Sequence, residues 1–292
     1  CAAFAFACLN GHKGIIKLFL DHLGSKNIDF NAKDSYGYTG IMLACEDGHQ
    51  DIVKLLLDHS DSKNIDFNAK ADSGITGIMF ACSNGHQDVV KLILGHSDSK
   101  NIDLNAKDND GDTAFTHACL NGQKEVVKLL LDHSGSKNID FNAGDNNGFT
   151  GTMLACKDGH QDVVKLLLDY SLSKNIDFNA KDNDGDTAFT HACLNGQKEV
   201  VKLLLDHSGS KNIDFNARDN DGYTGIMLAC EEGHQDVVKL LLDNLGCKNI
   251  DLNAKNNNGS TAYTIAYENG YVDIANLVLE SSGRKRIKIL DV

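Results

Sequence analysis

Apolar and polar positions recur along this chain with a single spacing. The segment Asn-Ile-Asp begins at Asn27, Asn64, Asn101, Asn138, Asn175, Asn212 and Asn249, each 37 residues after the last, without insertion or deletion. One period across the chain makes the unit, rather than the chain, the thing to explain. In the unit from Asn101 to Lys137, Ile102, Leu104 and Ala106 alternate with polar residues, which predicts a short extended arm. Asp108-Asn109-Asp110-Gly111 predicts a turn. Thr113 then stands where a helix N-cap belongs, its hydroxyl able to accept a free backbone N–H. Ala114, Phe115, His117, Ala118 and Cys119 predict a first short helix, broken at Asn121-Gly122. A second helix is predicted from Lys124 to His133. Its Val126, Val127, Leu129, Leu130 and Leu131 form an apolar face wide enough to be covered on more than one side. Ser134-Gly135-Ser136 predicts its end, with Gly135 as a left-handed terminator.

Such a unit cannot stand alone. Two short helices leave apolar faces open to water, and each large side chain that a neighbour buries contributes roughly 1.5–3 kcal/mol. Stacking of successive units is therefore the expected source of stability.

These residues resemble the ankyrin repeat, a hairpin turn followed by two antiparallel helices with a usual length of about 33 residues. The resemblance lies in Asn-Ala-Lys-Asp-x-x-Gly-x-Thr before the first helix, Ala-Cys within it, Asn/Asp-Gly-His/Gln between the helices and Val-Val-Lys-Leu-Leu-Leu in the second. It covers about 1–281 in eight helix pairs, the first repeat incomplete, and leaves 282–292 as a basic tail or cap. The fold class it implies is a mainly α ankyrin-repeat solenoid of helix-turn-helix units joined by β-hairpin-like loops. Two departures stand out. The family's Thr-Pro-Leu-His becomes Thr113-Ala114-Phe115-Thr116 or Thr39-Gly40-Ile41-Met42, which removes the helix-starting proline and the histidine that bonds the threonine. Each unit also carries about four extra residues, around Ser134 to Asn138 in the example, read as a spacer.

Composition narrows the function. The formal net charge of -13 lacks the cationic field that binds phosphate backbones, so neither nucleic acid nor a membrane surface is an expected partner. No run of eighteen or more apolar residues spans a bilayer. Seven of the nine cysteines (Cys8, Cys45, Cys82, Cys119, Cys156, Cys193, Cys230) keep the 37-residue period and so occupy one structural position. Stacked helices lie roughly 8–10 Å apart, beyond the about 7 Å a disulfide tolerates. Free buried thiols fit a reducing compartment, the cytoplasm or nucleus. The chain starts at Cys1, part-way through a repeat, so a preceding native segment is expected.

No catalytic, cofactor or metal site is expected. His117 and Cys119 are two apart on a helix and do not face one another, and their copies His191 and Cys193 lie two repeats away. The repeated Asp residues at the turns read as exposed turn formers. No phosphate-cradling glycine loop or nucleophile elbow is present. The resemblance implies a structural hydrogen-bonding role for His12, His49, His86, His160 and His234 between the helices. His22, His59, His96, His133 and His207 fall at the negative end of the second helix.

What remains is binding. The resemblance implies that partners dock along the hairpin tips and the exposed side of the first helices, on the concave face. Just before each capping threonine this gives a ladder of Tyr38, Ile75, Asp112, Phe149, Asp186, Tyr223 and Ser260. Beside it fall Leu120 and Leu194, expected to be exposed, with Glu46, Asp47, Asp158, Glu231 and Glu232. Apolar spots in acidic surroundings, offset by Lys33, Lys70, Lys107, Lys181, Arg218 and Lys255, suit a basic or amphipathic peptide or protein. The expected molecule is a monomeric scaffold or adaptor. Two alternatives are a targeting segment of a larger enzyme (kinase, transferase or ubiquitin-ligase component) and a structural spacer. The run Gly283-Arg284-Lys285-Arg286-Ile287-Lys288 reads as a solvated end, with nuclear targeting as its other reading. Residues 101–174 and 175–248 are near copies, and five of their eleven differences fall at the expected binding positions.

Overall fold

The computed structural model describes residues 2–21, 28–96, 101–133, 139–207 and 213–283. The chain divides into two units, Cys1–Asn146 and Asn147–Val292. In the first, four helix pairs follow in order: α1 (Ala2–Leu9) with α2 (Lys13–Asp21), α3 (Gly40–Glu46) with α4 (Gln50–Lys63), α5 (Gly77–Ser83) with α6 (Gln87–His96), and α7 (Ala114–Leu120) with α8 (Lys124–His133). The second holds α9 (Gly151–Lys157) with α10 (Gln161–Lys174) and α11 (Ala188–Leu194) with α12 (Lys198–His207). It continues with α13 (Gly225–Glu231), α14 (Gln235–Asp243) and the single turn α15 (Leu245–Lys248), then α16 (Ala262–Glu268) with α17 (Val272–Ser281). Within each unit first helices pack on first helices and second on second. The hairpin tips are turns, and Arg218 and Thr224 form an isolated antiparallel bridge. The basic tail from Arg284 lies outside the described residues.

The core follows the predicted faces. Ala44 and Cys45 of α3, with Val53, Leu56 and Leu57 of α4, are almost wholly buried, as are Ala118, Cys119, Val127, Leu130 and Leu131 of α7 and α8. Small Ala-Cys pairs let successive first helices approach closely, while Val and Leu fill the wider layer of second helices. The seven periodic cysteines are buried and free.

Two repeat types cap their first helices differently. In the Ala-Phe-Thr type, Thr113 and Thr116 exchange bonds: the Thr113 amide donates to Thr116 Oγ1 at 2.6 Å, and the Thr116 amide donates to Thr113 Oγ1 at 3.2 Å. Thr187 with Thr190 and Thr261 with Thr264 repeat this pattern. A second threonine thus takes over the reciprocal role that the family gives to histidine. In the Gly-x-Met type the threonine amide meets a methionine sulfur, 3.4 Å at Thr39 and 3.3 Å at Thr76. There the hydroxyls of Thr39, Thr76 and Thr224 are buried without a partner. The cap predicted from sequence is therefore fully satisfied in one type and weaker in the other.

The four extra residues are not a loose spacer where they are described. In α4 and α10 they continue the second helix to 14 residues, and Asn64 and Asn175 end it in the left-handed conformation at φ 51° and 52°. Asparagine, not glycine, supplies that terminator, because its short amide tolerates positive φ. The stretch Ser134 to Asn138, including Gly135, lies outside the described residues.

Polar ladders stitch neighbouring repeats together and account for the repeated Asn-Ile-Asp-x-Asn. The Asn216 amide donates to the Asn249 carbonyl at 2.8 Å, and its oxygen accepts from the Asp251 amide at 2.9 Å. Asn31 does the same with Asn64 and Asp66, and Asn68 with Asn101 and Asp103. At the tips, Asn109 reaches the Asp72 carbonyl and Asn220 the Asn183 carbonyl. Between the helices, the Nε2 atoms of His49, His86 and His234 donate to the carbonyls of Leu9, Glu46 and Leu194 at 2.8–2.9 Å. Gln123 and Gln197 do likewise with Ser83 and Lys157. The structural role expected of those histidines is seen at these three, and His59, His96 and His207 bond the carbonyl four residues back in their second helices. Replacing Asn216 with Ala removes both links at an exposed edge where water competes. The expected loss is about 1 kcal/mol, read in urea unfolding; an unchanged midpoint would mean that water replaces the ladder in full.

Candidate functional site

The ladder residues sit lower in the surface than their sequence positions suggested. Tyr38 and Ile75 are half-buried and pack, with Ala69, against Met42, Ala71 and Phe80. The Tyr38 ring meets Phe80 edge-on at 5.2 Å and lies 6.1 Å from the exposed Tyr36. Asp112, Phe149, Tyr223 and Ser260 are half-buried as well. Asp186, expected to be exposed, is buried at 8% exposure. Its amide donates to Asp182 Oδ1 at 2.8 Å, the same turn bond that half-buried Asp112 makes with Asp108. Leu120 and Leu194 are half-buried rather than exposed, whereas Asp47, Asp158 and Glu232 are exposed.

The structure draws some of these residues together. In the second unit Phe149 lies 4.8 Å from the His191 ring, tilted, with Lys157 Nζ 5.0 Å from the other ring's centroid. Tyr223 and Glu231 are both half-buried. Burial, then the charge of Glu232, pushes the Glu231 carboxyl above its ordinary range, and burial followed by Asp47 does the same to Glu46. Among the flanking cations, Lys70, Lys107 and Lys181 donate to the backbone carbonyls of Lys107, Gly144 and Arg218 in the following repeats at 2.6–2.7 Å. These bonds tie each ammonium to the next repeat and fix where its positive charge lies.

The sequence reading missed Asp182 with His191, and Asp108 with His117. His191 Nε2 lies 2.7 Å from Asp182 Oδ2, and His117 Nε2 lies 2.8 Å from Asp108 Oδ2. The partner of each histidine is thus not the cysteine two residues on but an aspartate nine residues back, brought over it by the turn. Both aspartates had been read as exposed, yet their side chains are only 1% and 3% exposed. The recurrence of Asp-x8-His in both copies was the available signal.

Comparison with known proteins fits this architecture. The family described as ankyrin repeats (3 copies) matches at residues 1–71, 62–145, 136–219 and 210–289. The chain belongs to the ankyrin-repeat family. Among solved structures, the ankyrin repeat domain of Bcl-3, described as a unique member of the IkappaB protein family, is similar at 24% identity with a TM-score of 0.68. That match covers 82% of this chain and 98% of the other. No curated protein matches. Ankyrin repeats are protein–protein interaction modules, and this mainly α repeat solenoid has that class of function. Among the described residues no helix is long and apolar enough to cross a membrane.

Proposed function

We propose that this ankyrin-repeat chain is a scaffold or adaptor that docks a basic or amphipathic protein segment on the face formed by its hairpin tips and first helices. The observation that carries this reading is the half-burial of the apolar ladder side chains, Tyr38 and Ile75 in the first unit and Phe149 and Tyr223 in the second, with exposed carboxylates at Asp47 in the first and at Asp158 and Glu232 in the second. Half-burial fixes a ring's orientation before a partner arrives, so less entropy is lost on binding. The like-charged neighbours that raise Glu46 and Glu231 are relieved by an incoming Lys or Arg. Seven buried, unbridged thiols support a reducing compartment, cytoplasmic or nuclear, for this work.

The test is cross-linking with mass spectrometry of the chain bound to a stoichiometric partner, followed by affinity measurement on the triple variant Tyr38→Ala, Phe149→Ala, Tyr223→Ala. Contacts are expected at the ladder, with affinity reduced about ten-fold or more by the triple variant. Affinity unchanged in a folded triple variant rejects the face.

A further inference from the structure

A second kind of site lies under the ladder of the second unit. Asp182 and Asp186 come from one hairpin tip and His191 from the helix α11 that follows it. Each offers one ligand atom, and these atoms lie within 4.8 Å of one another; among the described residues this is the group that meets that condition. All three are more than nine-tenths buried, at 7%, 8% and 4% exposure. The framework is built: Asp182 Oδ1 accepts from the amides of Asp184 at 3.0 Å and Asp186 at 2.8 Å, while Oδ2 faces His191. Phe149 lies against the imidazole.

The group is nonetheless incomplete. Asp186 Oδ1 and His191 Nδ1 are buried and have no hydrogen-bond partner. A buried acceptor without a donor costs roughly 1–3 kcal/mol, and more when charged, so native proteins seldom leave one unless an ion or water serves it. The balance of charge points the same way. Two buried carboxylates, Asp182 and Asp186, face one imidazole. The deficit is in positive charge.

We propose that Asp182, Asp186 and His191 form a three-ligand site for a first-row divalent cation of the zinc class. Imidazole nitrogen with carboxylate oxygens suits zinc, cobalt or manganese better than calcium, which wants six or more oxygens. Metal–ligand bonds of about 2.0–2.2 Å place tetrahedral ligand atoms roughly 3.4 Å apart. The ligand atoms now lie within 4.8 Å of one another, so binding draws the Asp186 carboxylate inward. Binding through Nε2 takes the neutral His191 tautomer that carries its proton on Nδ1, where no partner now sits, and a fourth position stays open for water or for a donor from a docked partner. The related group Asp108, Asp112 and His117 is more open, with the His117 side chain 14% exposed against 6% for His191. Its preceding ladder residue is Ile75, not a ring.

The test uses the full chain, stripped with chelator, titrated with zinc by calorimetry at neutral pH and with cobalt by visible absorption. One zinc equivalent is expected, with cobalt bands of a low-symmetry four-coordinate site. Affinity should fall about ten-fold or more in Asp186→Asn and in His191→Gln and stay unchanged in His117→Gln. Circular dichroism establishes that the variants fold. If Asp186→Asn does not fold, the decision passes to cobalt competition by zinc on the wild-type chain together with His191→Gln. No saturable binding, or binding that ignores Asp186→Asn and His191→Gln, overturns the site and marks an adventitious ion only. Loss that His117→Gln causes equally overturns it as well.

Discussion

Raising the pH from 9 to 10 is expected to lower the chain's stability by several kcal/mol, and more as the pH rises further. The cause is the column of buried thiols. Burial pushes Cys8 and Cys230 from an ordinary 9.0 up to about 12, and pushes Cys45, Cys82, Cys156 and Cys193 up as well. A thiol whose folded pKa lies above its unfolded pKa holds its proton more tightly in the folded state. Its contribution is therefore fully present below pH 9 and is lost as pH rises from there toward the folded value. Each such group gives up about 1.4 kcal/mol per pH unit in that window. Six acting together approach about 8 kcal/mol per unit, against a typical total of 5–15 kcal/mol. Urea titrations at half-unit steps from pH 8 to 10.5 measure the slope. Replacing Cys8 and Cys230 with Ala should cut it by about a third. A flat stability profile to pH 10.5 would show that the thiols are not buried as a column. At pH 8 the same burial leaves about a thousandth of the usual thiolate at Cys8 and Cys230, so a thiol reagent should label them only through unfolding.

Substituting Gly225 with Ala is expected to destabilise the chain by about 1–3 kcal/mol, while the matching change at Gly77 is neutral or slightly stabilising. Both glycines open first helices, where alanine is favoured by about 1 kcal/mol in a helix interior. Sterics decide the sign. A methyl at Gly225 would lie 2.6 Å from Phe189 Cε1 and 3.0 Å from Cys193 Sγ, whereas at Gly77 the nearest atom is Cys45 Sγ at 3.2 Å. Gly40 faces Phe4 Cε1 at 2.7 Å in the same way. Phe189 is 1% exposed and edge-on to Phe215 at 4.9 Å, so it cannot retreat. In a Phe189→Leu background the cost of Gly225→Ala should shrink toward that at Gly77, a coupling that a double-mutant cycle resolves. Equal effects at Gly225 and Gly77 would refute the ring-over-glycine account. The two repeat types are therefore not interchangeable: at these junctions a phenylalanine repeat accepts only a glycine repeat as its successor.

The ladder shows where reading by position runs out. Tyr38, Phe149 and Tyr223 were located by register alone, and register was enough because every repeat has the same length. Their depth was not legible. It depends on Phe80 and His191, each one repeat later, packing beneath them. Asp186 is the sharpest case, since its residue type and turn position both argue for solvent, yet it is buried at 8% exposure.

By itself the sequence determined the unit, the two helices in each repeat and their apolar faces, because these follow from local periodicity and from a repeat that cannot bury its surface alone. It determined likewise that the thiols are free, since equal spacing separates them by one stacking step. The tertiary structure alone decided which side chains meet: across that step the Asn216 ladder, the lysines held by neighbouring carbonyls and the Phe189 ring over Gly225, and within a repeat the aspartates turned inward onto His117 and His191. The first three depend on how closely one repeat settles on the next and the last on how the hairpin folds back over its helix, and residue periodicity carries no measure of either closeness.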